Sequence, residues 1–359
     1  MKNHSENILN KKIKREGNQS KNKKEYRNIV LLNIKNDGSG ILSRNKFIIF
    51  KSINDIYSLV CVGADLNSII SYNLIDNKIM NIIHNPHQMY TYSLRYFFYE
   101  FKKMDLILSI AYNEIKIWNL NLECIVLIKN IYPMISCFLQ NNKEIYIIAL
   151  SEIISSPPFF DNHCEQINIY DLKGKKIKTL NYSLENCKIV ENYYDKNIQK
   201  NFIIFSVEDG SITSFDFNKN KIYHKYNKGP FSYSCYDLDI INLKDKINLI
   251  ELGKDNIIRL WDFHSGKFLK KIELNAKGFK ICIWDAECVF IGSGNGEIKL
   301  VNLNEGKIIK EIKNEDNKGI GNIEKINIPK YGDCLVSQDF EEFFCPIKLW
   351  IFENQVKEK

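Results

Sequence analysis

Hydrophobic side chains recur along this chain in three columns held in one register. The clearest copy is the stretch 254–274, KDNIIRLWDFHSGKFLKKIEL, where an apolar run ends at Trp261-Asp262, a Ser-Gly turn follows and a second apolar run begins. Gly266 supplies the positive φ that a tight hairpin turn needs, so two short strands joined at 265–266 are predicted. With Trp261 as the reference, the equivalent positions are Tyr72, Trp118, Tyr170, Phe215, Val301 and Trp350, and the seven are spaced 46, 52, 45, 46, 40 and 49 residues apart. Three residues before each stands Ile: Ile69, Ile115, Ile167, Ile212, Ile258, Ile298 and Ile347. Two residues after each stands Leu74, Leu120, Leu172, Phe217, Phe263, Leu303 or Phe352. Six are followed directly by Asp or Asn, the seventh by Ile351. Self-similarity at this period means repeated supersecondary units that bury their apolar faces only by stacking on one another.

The columns, with their aromatic-acid step, resemble the WD-repeat β-propeller family from about residue 28 to the end. The resemblance implies an all-β fold: one seven-bladed propeller with four antiparallel strands per blade and a Trp-Asp step closing the third strand. Departures are visible. Only Trp261-Asp262 is a literal Trp-Asp, and no repeat carries the family's Gly-His. The acid six residues before the reference stands at Asp209 and Asp255, with Asn295 in its place in a third repeat. These departures touch the Asp–His–Ser–Trp hydrogen-bond network that stiffens family members. The apolar columns carry the fold expectation without it.

Residues 28–34 form a strand-like run outside any N-terminal repeat, and the chain stops soon after Trp350, where the third strand of the last repeat ends. Pairing the spare strand with the incomplete blade closes the ring and removes two open sheet edges. Blade 1 is then expected at 47–52, 57–63, 68–74 and 78–83. The aromatic run LRYFFYEF at 94–101 falls on the innermost strand of blade 2, where core packing accounts for it. The chain divides into a basic tail (1–27), the propeller (28–353) and a short C-terminal tail (354–359).

An apolar fraction of 45% suffices for a core of this size. The formal charge of +7 is concentrated: residues 1–27 hold nine Lys and Arg against three Glu, a net of +6. The tail carries two basic clusters, Lys11, Lys12, Lys14 and Arg15, then Lys21, Lys23 and Lys24. They have the form of a bipartite nuclear-import signal or a phosphate-binding arm, and equally of a solvated basic tail. Ten Cys occur without a CxxC pair, mostly in apolar runs, which reads as buried thiols rather than a metal or disulfide framework. Reduced thiols, the lack of a signal-peptide core and the lack of an eighteen-residue apolar run predict a cytoplasmic or nuclear protein with no membrane contact.

Propeller topology places second-to-third-strand loops on one face with the loops between blades. Two of them are long: 152–166, with Phe159 and Phe160, and 339–346, with Phe343 and Phe344. The interblade loop 84–93 adds Tyr90 and Tyr92, with Arg95 just after. Exposed aromatics are candidate protein-binding residues, although each Phe pair folded onto its own blade is an equal alternative. His84 and His87 lack further ligands nearby and read as solvated loop residues; the same objection removes His163-Cys164 as a metal site. Gly292 to Gly296, GSGNG, is read as a hairpin turn because no helix follows it. No nucleophile elbow or phosphate loop occurs, and no cofactor is implied. The sequence therefore predicts a non-catalytic adaptor that binds protein or peptide partners within a larger complex. Two alternatives stand beside it: a nuclear or RNA-associated subunit acting through the tail, and an enzyme with convergent ionisable groups in the central channel.

Overall fold

The computed structural model describes residues 26–35, 47–63, 68–129, 131–152, 165–184, 187–226, 234–243, 246–315, 317–340 and 344–352. Twenty-eight strands form seven four-stranded sheets, and no helix occurs among the described residues, so none is long and apolar enough to cross a membrane. The first strand is β1 (Tyr26–Lys35). Blade 1 is β2 (Phe47–Lys51), β3 (Tyr57–Val62), β4 (Ser68–Asn73) and β5 (Lys78–His84). Blade 2 is β6 (Thr91–Tyr99), β7 (Met104–Ala111), β8 (Glu114–Trp118) and β9 (Cys124–Lys129). Blade 3 is β10 (Pro133–Asn141), β11 (Glu144–Glu152), β12 (Glu165–Asp171) and β13 (Lys176–Leu184). Blade 4 is β14 (Cys187–Asp195), β15 (Lys200–Val207), β16 (Ile212–Asp216) and β17 (Lys221–Tyr226). Blade 5 is β18 (Cys235–Leu243), β19 (Lys246–Gly253), β20 (Ile257–Asp262) and β21 (Phe268–Glu273). Blade 6 is β22 (Gly278–Ile283), β23 (Cys288–Ser293), β24 (Glu297–Asn302) and β25 (Lys307–Lys313). Blade 7 is β26 (Gly319–Ile328), β27 (Gly332–Phe340) and β28 (Phe344–Phe352), with β1 as its outer strand.

Buried positions follow the order of strands within a blade. The second strands are sealed on both faces, as in β3, where all six residues are buried. The outer strands expose most of theirs, as in β5 and β25. The first strands touch one another around the ring, from β2 through β6, β10, β14, β18 and β22 to β26 and back to β2.

Seven apolar clusters fill the seven junctions between neighbouring blades, and they explain the sequence columns. The reference residue packs on the preceding blade: Trp118 lies with Ile48 and Val60 of blade 1, and Trp261 with Phe202 and Ile204 of blade 4. The large apolar residue two positions later, such as Phe263, shares its direction. The Ile three positions earlier points the other way, as Ile258 does toward Val289 and Ile291 of blade 6. Strand alternation produces this division, since an offset of two keeps the face and an offset of three reverses it. In six blades a bulge falls immediately before the reference residue, where the third strand meets the fourth.

Ring closure occurs as the spare-strand reading requires. β1 pairs antiparallel with β28 from Tyr26↔Phe352 to Lys35↔Phe344, and Tyr26 lies 6.0 Å from the ring of Trp350. Leu31 is buried in the cluster between blades 7 and 1. The GSGNG segment is a hairpin turn between β23 and β24. Gly296 sits there at φ 79°, and a Cβ would come 2.7 Å from the backbone of Asn317.

The run 94–101 differs in part from its core reading. Leu94 and Tyr99 are buried, Tyr96 stacks on Phe50 at 4.0 Å, and Phe97 tilts against Phe138. The strand ends at Tyr99, however, and Phe101 in the following turn is exposed.

Candidate functional sites on the loop face and in the channel

Antiparallel strands put the second-to-third turns and the interblade loops on one face of the ring, the loop-rich face. Of the candidate protein-binding residues, Phe159, Phe160 and Phe343 lie outside the described residues, and Phe344 opens β28 opposite Lys35. The basic residues Lys11, Lys12, Lys14, Arg15, Lys21, Lys23 and Lys24 also lie outside them. Tyr90 is 44% exposed beside exposed Met89, whereas Tyr92 is half-buried against the core between blades 2 and 3. The structure adds two aromatics that the sequence reading missed. Tyr112, 51% exposed in the β7–β8 turn, meets Tyr132 of the β9–β10 loop edge-on at 5.4 Å. Their signal was an aromatic at a turn rather than within an apolar run. Tyr90, Tyr112 and Tyr132 thus come from three successive loops on the same face.

The solvated-loop reading of His87 is corrected. Its side chain is fully buried; Nδ1 lies 2.8 Å from Glu114 Oε1 and Nε2 lies 2.6 Å from Ser109 Oγ. Burial pushes the imidazole down to about 4, against the pull of Glu114. Burial would raise Glu114, but the bond to His87 and the nearby Lys116 charge outweigh it and hold the carboxyl below its usual range. A neutral His87 therefore donates from Nδ1 to an ionised Glu114 and accepts the Ser109 hydroxyl at Nε2. Ser109 Oγ in turn accepts the Trp118 indole N–H at 2.8 Å. This is an acid–His–Ser–Trp chain with Glu114 in the place of Asp. A partial version recurs in blade 7, where Trp350 donates to Ser337 Oγ at 2.8 Å. In blade 5, which holds the literal Trp-Asp, the Trp261 indole N–H has no partner, and Glu251 occupies the Ser position and contacts Arg259.

A second region is the central channel. One residue of each first strand stands at the same height in the ring: Ile48, Arg95, Cys137, Glu191, Asp239, Cys282 and Glu324. One layer nearer the loop-rich face stand Ser93, Ile135, Ile189, Asp237, Lys280 and Asn322. Arg95, read from sequence as following an exposed loop, is thus a channel residue. It donates to Glu191 Oε1 at 2.7 Å, bridging blade 2 to blade 4. Lys280 donates to Asp237 Oδ1 at 3.0 Å, while Asp237 Oδ2 accepts the Ile281 N–H at 2.8 Å. A cavity of about 270 Å³ opens here, with Arg95, Glu191, Asp239 and Lys280 in its wall.

Burial pushes the Asp239 carboxyl up to about 7, with Asp237 and Glu191 adding to the rise and Lys280 opposing it. Burial likewise raises Glu324 to about 7. Burial would lower Lys280, but Asp237 and Glu191 hold it above its ordinary value. Convergent ionisable groups of this kind are what the channel-enzyme alternative requires. The sequence reading had not located them.

On the opposite face, His264 Nδ1 lies 3.1 Å from the Tyr223 hydroxyl, and Nε2 lies 2.9 Å from Asp195 Oδ2 without hydrogen-bond alignment. These groups link blades 4 and 5. Among the described residues, no group of three or more His, Cys, Asp or Glu side chains is placed to hold a metal ion.

No protein-family model matches this chain, and no curated protein matches it. Its fold is similar to a crystal structure of BBS1N in complex with ARL6DN, soaked with lead, with a TM-score of 0.65 and 10% sequence identity. The similarity covers 92% of this chain and 99% of that one. At this identity the likeness speaks for the seven-bladed fold.

Proposed function

We propose that this protein is a non-catalytic interaction scaffold whose loop-rich face captures a protein partner. The observation that carries the reading is the exposed set Tyr90, Tyr112 and Tyr132, three aromatics presented by three loops of a closed ring. Tyr supplies large contact area with few rotatable bonds, and a ring that holds its loops in place lowers the ordering cost of binding. Phe159, Phe160, Phe343 and Phe344 extend the same surface in this proposal. The similar propeller was crystallised with ARL6DN, which supports a protein as the kind of partner. We assign the repeats to the WD type on the His87–Ser109–Trp118 chain of blade 2.

The reading is tested by purifying the Tyr90→Ala/Tyr112→Ala variant beside the wild type. Both should melt alike, since both side chains are largely exposed, while partner capture falls in the variant. Equal capture by the two proteins would refute the assignment of this face.

A specific observation keeps the tail reading as a second proposal. Tyr26 pairs with Phe352, at the end of blade 7 away from the loop-rich face, so the basic tail joins the ring on the other side. A partner of the tail and a partner of the loops would not compete for space.

A further inference from the structure

The ionisable groups of the channel are not balanced. Arg95 is paired with Glu191 and Lys280 with Asp237. Asp239 Oδ1 accepts the Ile240 N–H at 2.7 Å, and Glu324 Oε2 accepts the Ile49 N–H at 3.3 Å. Neither carboxyl has a cationic side chain at ion-pairing distance among the described residues. They stand in one layer on either side of Cys282, whose thiol is pushed up by burial and then by both carboxylates. A buried carboxylate without a counter-ion is costly, and a site that fills with a cation removes that cost.

An independent observation comes from Asn322. It is 3% exposed and stands two residues before Glu324 on β26, on the same face of the strand. Its Oδ1 accepts the Ile323 N–H at 3.0 Å, but its Nδ2 has no acceptor. A buried amide donor left unmatched is uncommon and points to a missing acceptor. The channel therefore offers carboxylates that lack a cation, an amide N–H that lacks an oxygen, and a cavity of about 270 Å³ walled in part by Asp239.

We propose that the central channel binds a small amino alcohol, with its ammonium group held by Asp239 and Glu324 and a hydroxyl oxygen accepting from Asn322 Nδ2. The site is separate from the loop-face surface, so either can fail without the other. Binding releases protons at neutral pH, because the two carboxyls ionise when the ammonium arrives. The groups facing Asp239 are Lys280, Asp237 and Glu191, and those facing Glu324 are Lys280, Arg95 and Asp237. Binding should accordingly strengthen as pH rises through about 7.

The test is isothermal titration of the full chain with 2-amino-1,3-propanediol, beside glycerol, which has a hydroxyl where the probe has the amine. The expected result is saturable heat with the amine alone and a heat that changes with the ionisation enthalpy of the buffer. Asp239→Asn and Glu324→Gln, each mimicking the neutral carboxyl and so expected to fold, should each weaken binding by about tenfold or more. No saturable heat with the amine, equal binding of glycerol, or unchanged affinity in both variants would overturn the proposal.

Discussion

Ser109 lies 2.6 Å from His87 and passes its hydroxyl proton to the imidazole while taking the indole proton of Trp118 on the same oxygen. One hydroxyl thus ties the interblade loop of blade 2 to its second and third strands. All three side chains are buried, so no water replaces a lost partner. Ser109→Ala leaves both His87 Nε2 and Trp118 Nε1 unmatched, and should cost about 1–3 kcal/mol for each stranded group. Denaturant unfolding measures it; a loss below about 0.5 kcal/mol would show that the chain contributes little.

Ring closure gives a second expectation. Removing residues 1–25 leaves the β1–β28 ladder intact and should barely change the melting temperature. Removing 1–35 strips the outer strand from blade 7, takes Leu31 from the core and exposes the edge of β28. It should lower the midpoint sharply and promote association through the open edge. Equal effects of the two truncations would contradict closure by β1.

The channel carboxyls set a pH dependence whose sign is fixed. Asp239 moves from 3.8 and Glu324 from 4.5 to about 7 on folding, so between these values the folded state holds more protons than the unfolded chain. Their contribution is full below pH 4 and is lost as pH rises toward 7. His87 acts oppositely: its value falls from 6.5 to about 4, so its contribution is lost as pH drops through that window. Asp239→Asn combined with Glu324→Gln should therefore raise the melting temperature at pH 8 more than at pH 5. An identical gain at both values would remove the channel carboxyls from the account.

Much of the fold was legible because the apolar columns report directly on which blade each side chain faces. Ile258 and Trp261 sit three apart because they serve opposite junctions, and that requirement is local in sequence. The closing strand was legible for a related reason, as one strand too many at one end matches one too few at the other. His87 was misread because its partners, Ser109 and Glu114, lie 22 and 27 residues away. Nothing beside it in the chain signals burial. The literal Trp-Asp of blade 5 misled in the other direction, since Trp261 has the signature without the hydrogen bond.

The channel was missed although its signal was present. Arg95, Glu191, Asp239, Lys280 and Glu324 each interrupt an apolar first strand. Aligning those strands by the same register that revealed the third strands would have stacked four of them in one layer, with Lys280 in the next. Single charges in separate strands look like solvent-facing residues until the ring brings them together. Tyr112 and Tyr132 escaped in the same way, being neighbours only after two blades pack.

The most direct measurement of the scaffold reading is affinity capture from native extract with the wild type, the Tyr90→Ala/Tyr112→Ala variant and a variant with Phe159, Phe160, Phe343 and Phe344 changed to Ala, followed by mass spectrometry. The account predicts a defined set of proteins held by the wild type and lost from the tyrosine variant, while the melting temperature is unchanged. Capture that is identical across all three proteins, or empty for the wild type, would contradict it.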